Sequence, residues 1–349
     1  MPSPDRSIGL ALPSPSIAAA LPANLDTVRG LACLLLVIYH VVGNSPARGL
    51  ELPADSAWHY ATDSFALIRM PVFTILSGLL YGRLRVDRAH LEPFAVKKLR
   101  RLAIPLIVLT ILTWSIRSLM GEESVTLGYA LTHAYEHFWF LQALLWVFAF
   151  IAIADVFARP STMMLAVLVA ATALLSATTQ VAAPFSLEQA LYLLPFFLFG
   201  LLLSQCSIDS LRPERGFAAL AIAGAIMIWQ QAGLLGLTDK LARDGIPAFI
   251  CGSAACVALL ALSPRITWLE TIGRYSYTIY LWHIFFLAGT REALLLIGVR
   301  EVPLLFFASA SMGLIAPILL HHWATRREWS AVLLLGIKPK RLPSGRLSA

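Results

Sequence analysis

Charged side chains are scarce in this chain: 13% of its 349 residues, against 58% that are hydrophobic. Such a balance excludes an ordinary soluble domain. No polar stretch is long enough to fold as a separate soluble unit either. Cysteine is also rare. Cys33, Cys206, Cys251 and Cys256 lie in or beside apolar runs and lack metal-ligand spacing, so they read as small buried hydrophobes and imply no disulfide framework. The fifth to eighth apolar runs, mostly Ala, Leu, Val and Ile, hold no carboxylate of the kind a proton relay needs. They show no internal repeat and no phosphate-cradling glycine motif.

What is present is a series of apolar segments, each near the ~20 residues a membrane-spanning helix needs. They predict an all-α polytopic bundle of about ten helices, near 30 to 44, 64 to 82, 102 to 120, 138 to 156, 162 to 181, 188 to 204, 217 to 235, 246 to 262, 275 to 297 and 303 to 323. With the N-terminus taken as cytoplasmic, all but seven of the 27 Lys and Arg residues fall on the cytoplasmic side. The seven are Arg48, Arg69, Arg117, Lys240, Arg243, Arg291 and Arg300. The positive-inside rule therefore predicts both termini in the cytoplasm, as an even number of spans requires. Residues 1–24, with five prolines and a broken apolar part, read as a cytoplasmic tail rather than a cleaved signal peptide. Residues 25–325 form one membrane domain, and 326–349 a solvated basic cytoplasmic tail. Membrane orientation accounts for the net charge of +7, so nucleic acid is not an expected partner, whereas membrane lipid is.

The first apolar run, LDTVRGLACLLLVIYH, carries Arg29 at its entrance and His40 inside. Eleven residues make about three helical turns and roughly 16 Å, which sets both side chains on one face and predicts His40 near the middle of the hydrocarbon core. An ionisable group at that depth usually faces a polar cavity. Asp26 can orient Arg29 or cap the helix, the more frequent role of an Asp at that position.

The second run, RMPVFTILSGLLYG, sets Arg69 at the outer interface, able to snorkel or to meet an acceptor, and holds Ser77 and Gly78, a pair suited to close helix approach or to a cavity wall. Before the third run comes KKLRRLAIP, where Lys97 with Arg100 and Lys98 with Arg101 make two basic edges at i,i+3 spacing. They suit a lipid-headgroup anchor or a diphosphate clamp. His133 and His137 read as solvated loop residues with no third metal ligand. Trp139 in HFWFLQALL reads as an interfacial anchor. YSYTIYLWHIFF brings His283, with Tyr280 beside it, as a second histidine at membrane depth, structural or in contact with substrate. His321 and His322 read as interfacial.

Taken in order, these five motifs resemble the integral-membrane acyltransferase-3 family over nearly the whole chain, from Leu25 to about Trp323. Arg29 and His40 match its first motif fully. Its basic motif, usually two arginines three apart, corresponds here to Lys98 and Arg101. The resemblance implies transfer of an acyl group, usually acetyl, from cytosolic acyl-CoA to a hydroxyl, often on a cell-surface or secreted glycan. With no added soluble domain, a lipid-linked or membrane-proximal acceptor is favoured. The expected location is the bacterial inner membrane.

Acyl transfer to an alcohol needs a base and a group that stabilises the oxyanion. His40 is the best base available, because an unperturbed imidazole titrates near 6.5 and is largely neutral at cellular pH. Arg29 and the Lys98/Arg101 edge would hold the donor's phosphates, and no metal is expected. The competing reading is a transporter or flippase for a glycan or lipid precursor, which shares the many-helix bundle with a central polar residue.

Overall fold

A computed structural model describes residues 22–179, 183–206 and 212–338, and among them every regular element is helical. In chain order the α-helices are α1 (Leu25–Val42), α2 (Ala57–Asp63), α3 (Arg69–Arg83), α4 (Leu91–Lys98), α5 (Ile104–Leu119), α6 (Leu127–Thr132), α7 (Trp139–Phe157), α8 (Thr162–Thr178), α9 (Leu187–Gln205), α10 (Pro213–Leu234), α11 (Ile246–Leu262), α12 (Thr267–Leu296), α13 (Val302–Ala324) and α14 (Glu328–Leu335). A π-helical turn, Leu99–Ala103, joins α4 to α5. A helix satisfies its backbone hydrogen bonds internally, which apolar surroundings demand. Among the described residues, seven helical stretches are long and apolar enough to cross a membrane, while α8 and α11, at 17 residues, are shorter apolar helices. Outward-facing Leu119, Phe157 and Leu296 are more than four-fifths exposed, as suits a lipid-facing surface.

Each of the ten expected runs overlaps a helix, though the run expected over 64–82 is met only by the 15 residues of α3, which is not among the seven; three further differences bear on the site. The helix expected over 275–297 begins eight residues earlier, so His283 lies about halfway along the 30 residues of α12. The helix entering at 102 continues back through the π-helical turn into α4. The tail expected to be solvated from 326 instead folds back as α14, whose Ala331 and Leu335 are fully buried. The indole N–H of Trp282 donates to Leu334 O (3.0 Å), and Gly336, at φ +62°, lies against the backbone of Arg100 and Arg101. The N-terminal 1–21 and the basic residues Lys340, Arg341 and Arg346 lie outside the described residues.

Two glycine crossings organise the bundle. A Cβ on Gly30 of α1 would fall 2.0 Å from Leu269 O of α12, and one on Gly273 of α12 would fall 1.9 Å from Asp26 O of α1. Gly78 and Gly200 seat α3 on α9 in the same reciprocal way, at 2.0 Å from Phe197 O and from Ile75 O. Helices in lipid gain nothing from excluding water between them, so such backbone approach, with its van der Waals contact, is what holds them together. Gly78 thus serves close packing. Ser77 bonds back to Phe73 O within its own helix (2.8 Å) and does not line the cavity described below.

Candidate active site

α1 ends soon after His40. Gly43 terminates it with φ +102°, its N–H bonding Tyr39 O, so His40 stands in the last turn of α1 rather than in mid-helix. Its depth is nonetheless interior, because the neighbouring α12 continues 13 residues past His283, about 20 Å. The chain after Gly43 then forms part of the wall of a cavity of about 960 Å³ lined by Tyr39, His40, Arg69, His137, Trp139 and Tyr280, with Arg48, Arg117, Arg243 and Arg291 among its further walls. Non-helical backbone at such depth is tolerated where it lines a water-filled space.

Three imidazoles cluster here, His40 and His137 on the cavity wall and His283 behind it. The ring of His40 lies 5.0 Å from that of His283 and 6.0 Å from that of His137, and the latter two are 5.1 Å apart, centroid to centroid. His283 is fully buried. Its Nδ1 faces two carbonyls, Ile279 O and Tyr280 O, each at 2.9 Å, so Nδ1 must carry the proton and donate it. That fixes the tautomer and leaves Nε2 as a bare acceptor. This Nε2 is buried without a partner, as is Nε2 of His137. The Tyr280 hydroxyl donates to His137 O and ties α12 to the start of α7.

His137 corrects the reading of a solvated loop residue. It is 7% exposed, because a short 3-10 turn, Glu136–Phe138, with Glu136 at φ +45°, turns it inward at the head of α7. His133 faces elsewhere, stacked on Tyr129 at 4.0 Å. Among the described residues, no group of three or more His, Cys, Asp or Glu side chains could hold a metal ion. Arg69 is 5% exposed, with its guanidinium 3.7 Å from the Tyr39 ring centroid. A cation over an aromatic face is attracted by the ring quadrupole.

Arg29, Lys98 and Arg101 do not line the cavity; they gather at the opposite end of the bundle, where α1 begins. Arg29 pairs with Asp26 at 3.3 Å, so Asp26 orients the guanidinium and does not cap the helix. The cap position belongs to Asn24, whose amide donates to Leu259, Leu260 and Ser263 carbonyls at the end of α11. Arg101 lies within coulombic range of both Arg29 and Lys98. The π-helical turn Leu99–Ala103 changes the helical period between Lys98 and Arg101 from the α-helical one on which the i,i+3 edges were expected. Lys98 Nζ sits 3.2 Å from the Phe148 ring centroid and Arg101 Cζ 4.5 Å from that of Tyr277. Lys97 is exposed and Arg100 half-buried. Nitrogens of Arg83 and Arg100 are buried without partners.

One buried carboxylate escaped the sequence reading. Asp155, near the end of α7, is 4% exposed. It accepts hydrogen bonds from Tyr81 (2.8 Å) and Arg85 Nε (3.0 Å). A carboxylate held in this way is a structural anchor rather than a free proton carrier.

A family model described as an acyltransferase domain, Acyl_transf_3, matches residues 23–322. No curated protein and no solved structure matches the chain.

Proposed function

This chain belongs to the acyltransferase-3 family and is a membrane acyltransferase, and from that premise we propose that it moves an acyl group, acetyl in the first instance, from cytosolic acyl-CoA to a hydroxyl of a cell-surface, secreted or lipid-linked glycan. His40 is the general base. The observation that supports this reading most directly is the position of His40, on a cavity wall and backed by the buried His283.

Acyl-CoA supplies the thioester carbonyl and the thiol leaving group. The partnerless buried nitrogens of Arg83 and Arg100 are unmet donors that suit its phosphates, and Arg29 and Arg101 add guanidinium groups that would join them. Lys98, resting on Phe148, joins them only by leaving that ring. The acceptor enters from the cavity, at the other end. His40 takes the hydroxyl proton as that oxygen bonds to the acyl carbon, and returns it to the sulfur as the carbon–sulfur bond breaks. No covalent enzyme intermediate is needed. We give His283 a positioning role: its Nε2, without a partner at rest, is the acceptor that a small turn of the His40 ring would engage, leaving the other, unprotonated nitrogen toward the cavity.

Thiol release from acetyl-CoA by the purified protein, with and without glycan acceptors, tests the proposal. The wild type is expected to release CoA, and His40→Ala to lose at least about 100-fold in kcat at unchanged thermal stability. Turnover retained by folded His40→Ala would remove His40 from its role. A wild type that neither binds nor cleaves acyl-CoA would restore the transporter reading.

A further inference from the structure

The carboxylates that line the cavity are all engaged away from Arg69. Five arginines line it, Arg48, Arg69, Arg117, Arg243 and Arg291, with four carboxylates, Glu51, Glu122, Glu136 and Glu292. Each carboxylate is already engaged. Glu136 pairs with Arg48 (2.7 Å) and Arg117 (3.5 Å), Glu122 with Arg117 (3.9 Å), and Glu51 and Glu292 with Arg291 (3.9 and 2.5 Å). Arg69 and Arg243 are left over, and among the described residues neither side chain forms a hydrogen bond or an ion pair.

Arg69 is the more demanding of the two. An arginine that is 95% withdrawn from solvent as a residue normally has a carboxylate or several acceptors, since burying an unpaired charge is costly. Here it has only the face of Tyr39. Asp63 acts on it from a distance, but stays outside ion-pair range and does not line the cavity. Arg243 and the hydroxyl-bearing Tyr192 line the same cavity, within electrostatic reach of Arg69. Arg69 in turn is near enough to act on His40.

We infer that this corner is an anion subsite for the acceptor: the glycan that presents its hydroxyl to His40 carries a carboxylate or phosphate, held by Arg69 and Arg243. The inference rests on the acyltransferase reading above and adds the class of acceptor. Arginine suits the task because its planar fork binds either anion through two parallel hydrogen bonds, and the apolar wall strengthens them. A neutral sugar would leave both guanidinium groups without partners, and so would be discriminated against.

Equilibrium binding to the full chain, in nanodiscs of zwitterionic lipid, reads the subsite without any chemistry. The probes are glucuronate, glucose 1-phosphate and glucose. Either acidic sugar is expected to bind about ten- to a hundredfold more tightly than glucose, the worth of a charged hydrogen bond, and to weaken with added salt. Preference for glucuronate identifies an acidic sugar, and preference for glucose 1-phosphate identifies a phosphate-bearing acceptor. Arg69→Gln should abolish the preference and Arg69→Lys keep part of it. Should Arg69→Gln fail to fold, the exposed Arg243→Gln and the salt dependence of the wild type decide. Equal binding of glucose and both acidic sugars, or no binding of either acid, overturns the subsite. So does a charge preference that survives Arg69→Gln; a role for Arg69 confined to the oxyanion would lower turnover alone and leave binding unchanged. CoA release by the same preparation reports separately on the acyltransferase reading.

Discussion

His40 and His283 each stand ten residues beyond the glycine at which their helices cross. Gly30 and Gly273 bring the backbones of α1 and α12 together. The helices run parallel from there, since Thr27 Oγ1 accepts from Ile266 N (3.1 Å) and Cys33 Sγ approaches Ser276 O (4.0 Å). Equal rise along both then delivers the two imidazoles to one level, 5.0 Å apart. The crossing is thus a ruler for the site.

A side chain at that crossing should therefore misplace the base. In Gly273→Val the new Cβ meets backbone, which cannot yield as a flexible side chain would. We expect a loss of about 1–3 kcal/mol in stability. The remaining folded protein should lose more activity than Ser77→Ala, which alters neither crossing; thermal unfolding and CoA release measured side by side would show it.

His283→Leu removes the acceptor behind His40 but touches neither donor nor acyl carbon. kcat should drop about ten- to a hundredfold with KM nearly unchanged, and the pH profile of kcat should move. Added to His40→Ala the substitution should cost little more, because the two act as a unit. Additive losses in the double variant would assign His283 a purely structural part.

At the other end, Arg101 and Lys98 should separate. Arg101→Ala, which leaves Tyr277 uncovered and removes the cation nearest Arg29, is expected to raise the KM for acyl-CoA about tenfold or more. Lys98→Ala should raise it less and lower thermal stability more, because its ammonium rests on Phe148. Donor titrations at saturating acceptor distinguish the two.

Asp155→Asn should be the most destabilising of these changes, by about 3–5 kcal/mol, since it strands Arg85 beside an uncharged partner. Tyr81→Phe loses a single bond and should cost about 1 kcal/mol. Arg85→Met with Asp155→Leu, replacing the whole pair by apolar groups, should recover much of the loss in a thermal unfolding series.

The membrane class, the succession of helices and the Arg29–His40 spacing were all legible in the sequence, because hydrophobic length and helical rise are local properties. Nonlocal and irregular features were not. His137 looked like a wet loop residue because nothing in its neighbours announces that a turn with a positive φ at Glu136 will fold it inward. Asp155 looked ordinary because its partners Tyr81 and Arg85 are about 70 residues away in sequence. The two basic edges at KKLRR assumed an α-helical period that the π-helical turn does not keep. The one long-range signal within reach was arithmetic: the same ten-residue interval from glycine to histidine occurs in LDTVRGLACLLLVIYH and in the run that ends TIGRYSYTIYLWH.

Because α1 stops partway through the bundle, the cavity that His40 lines is separated from Arg29 at the start of the helix by packed side chains, Leu36 of α1 among them and Leu281 and Trp282 of α12 in the same buried cluster. On this arrangement those residues serve as electrical insulation as well as packing. An opening wide enough for an acyl-bearing arm to reach His40 must close around that arm like a gasket, or each turnover would leak protons down their gradient.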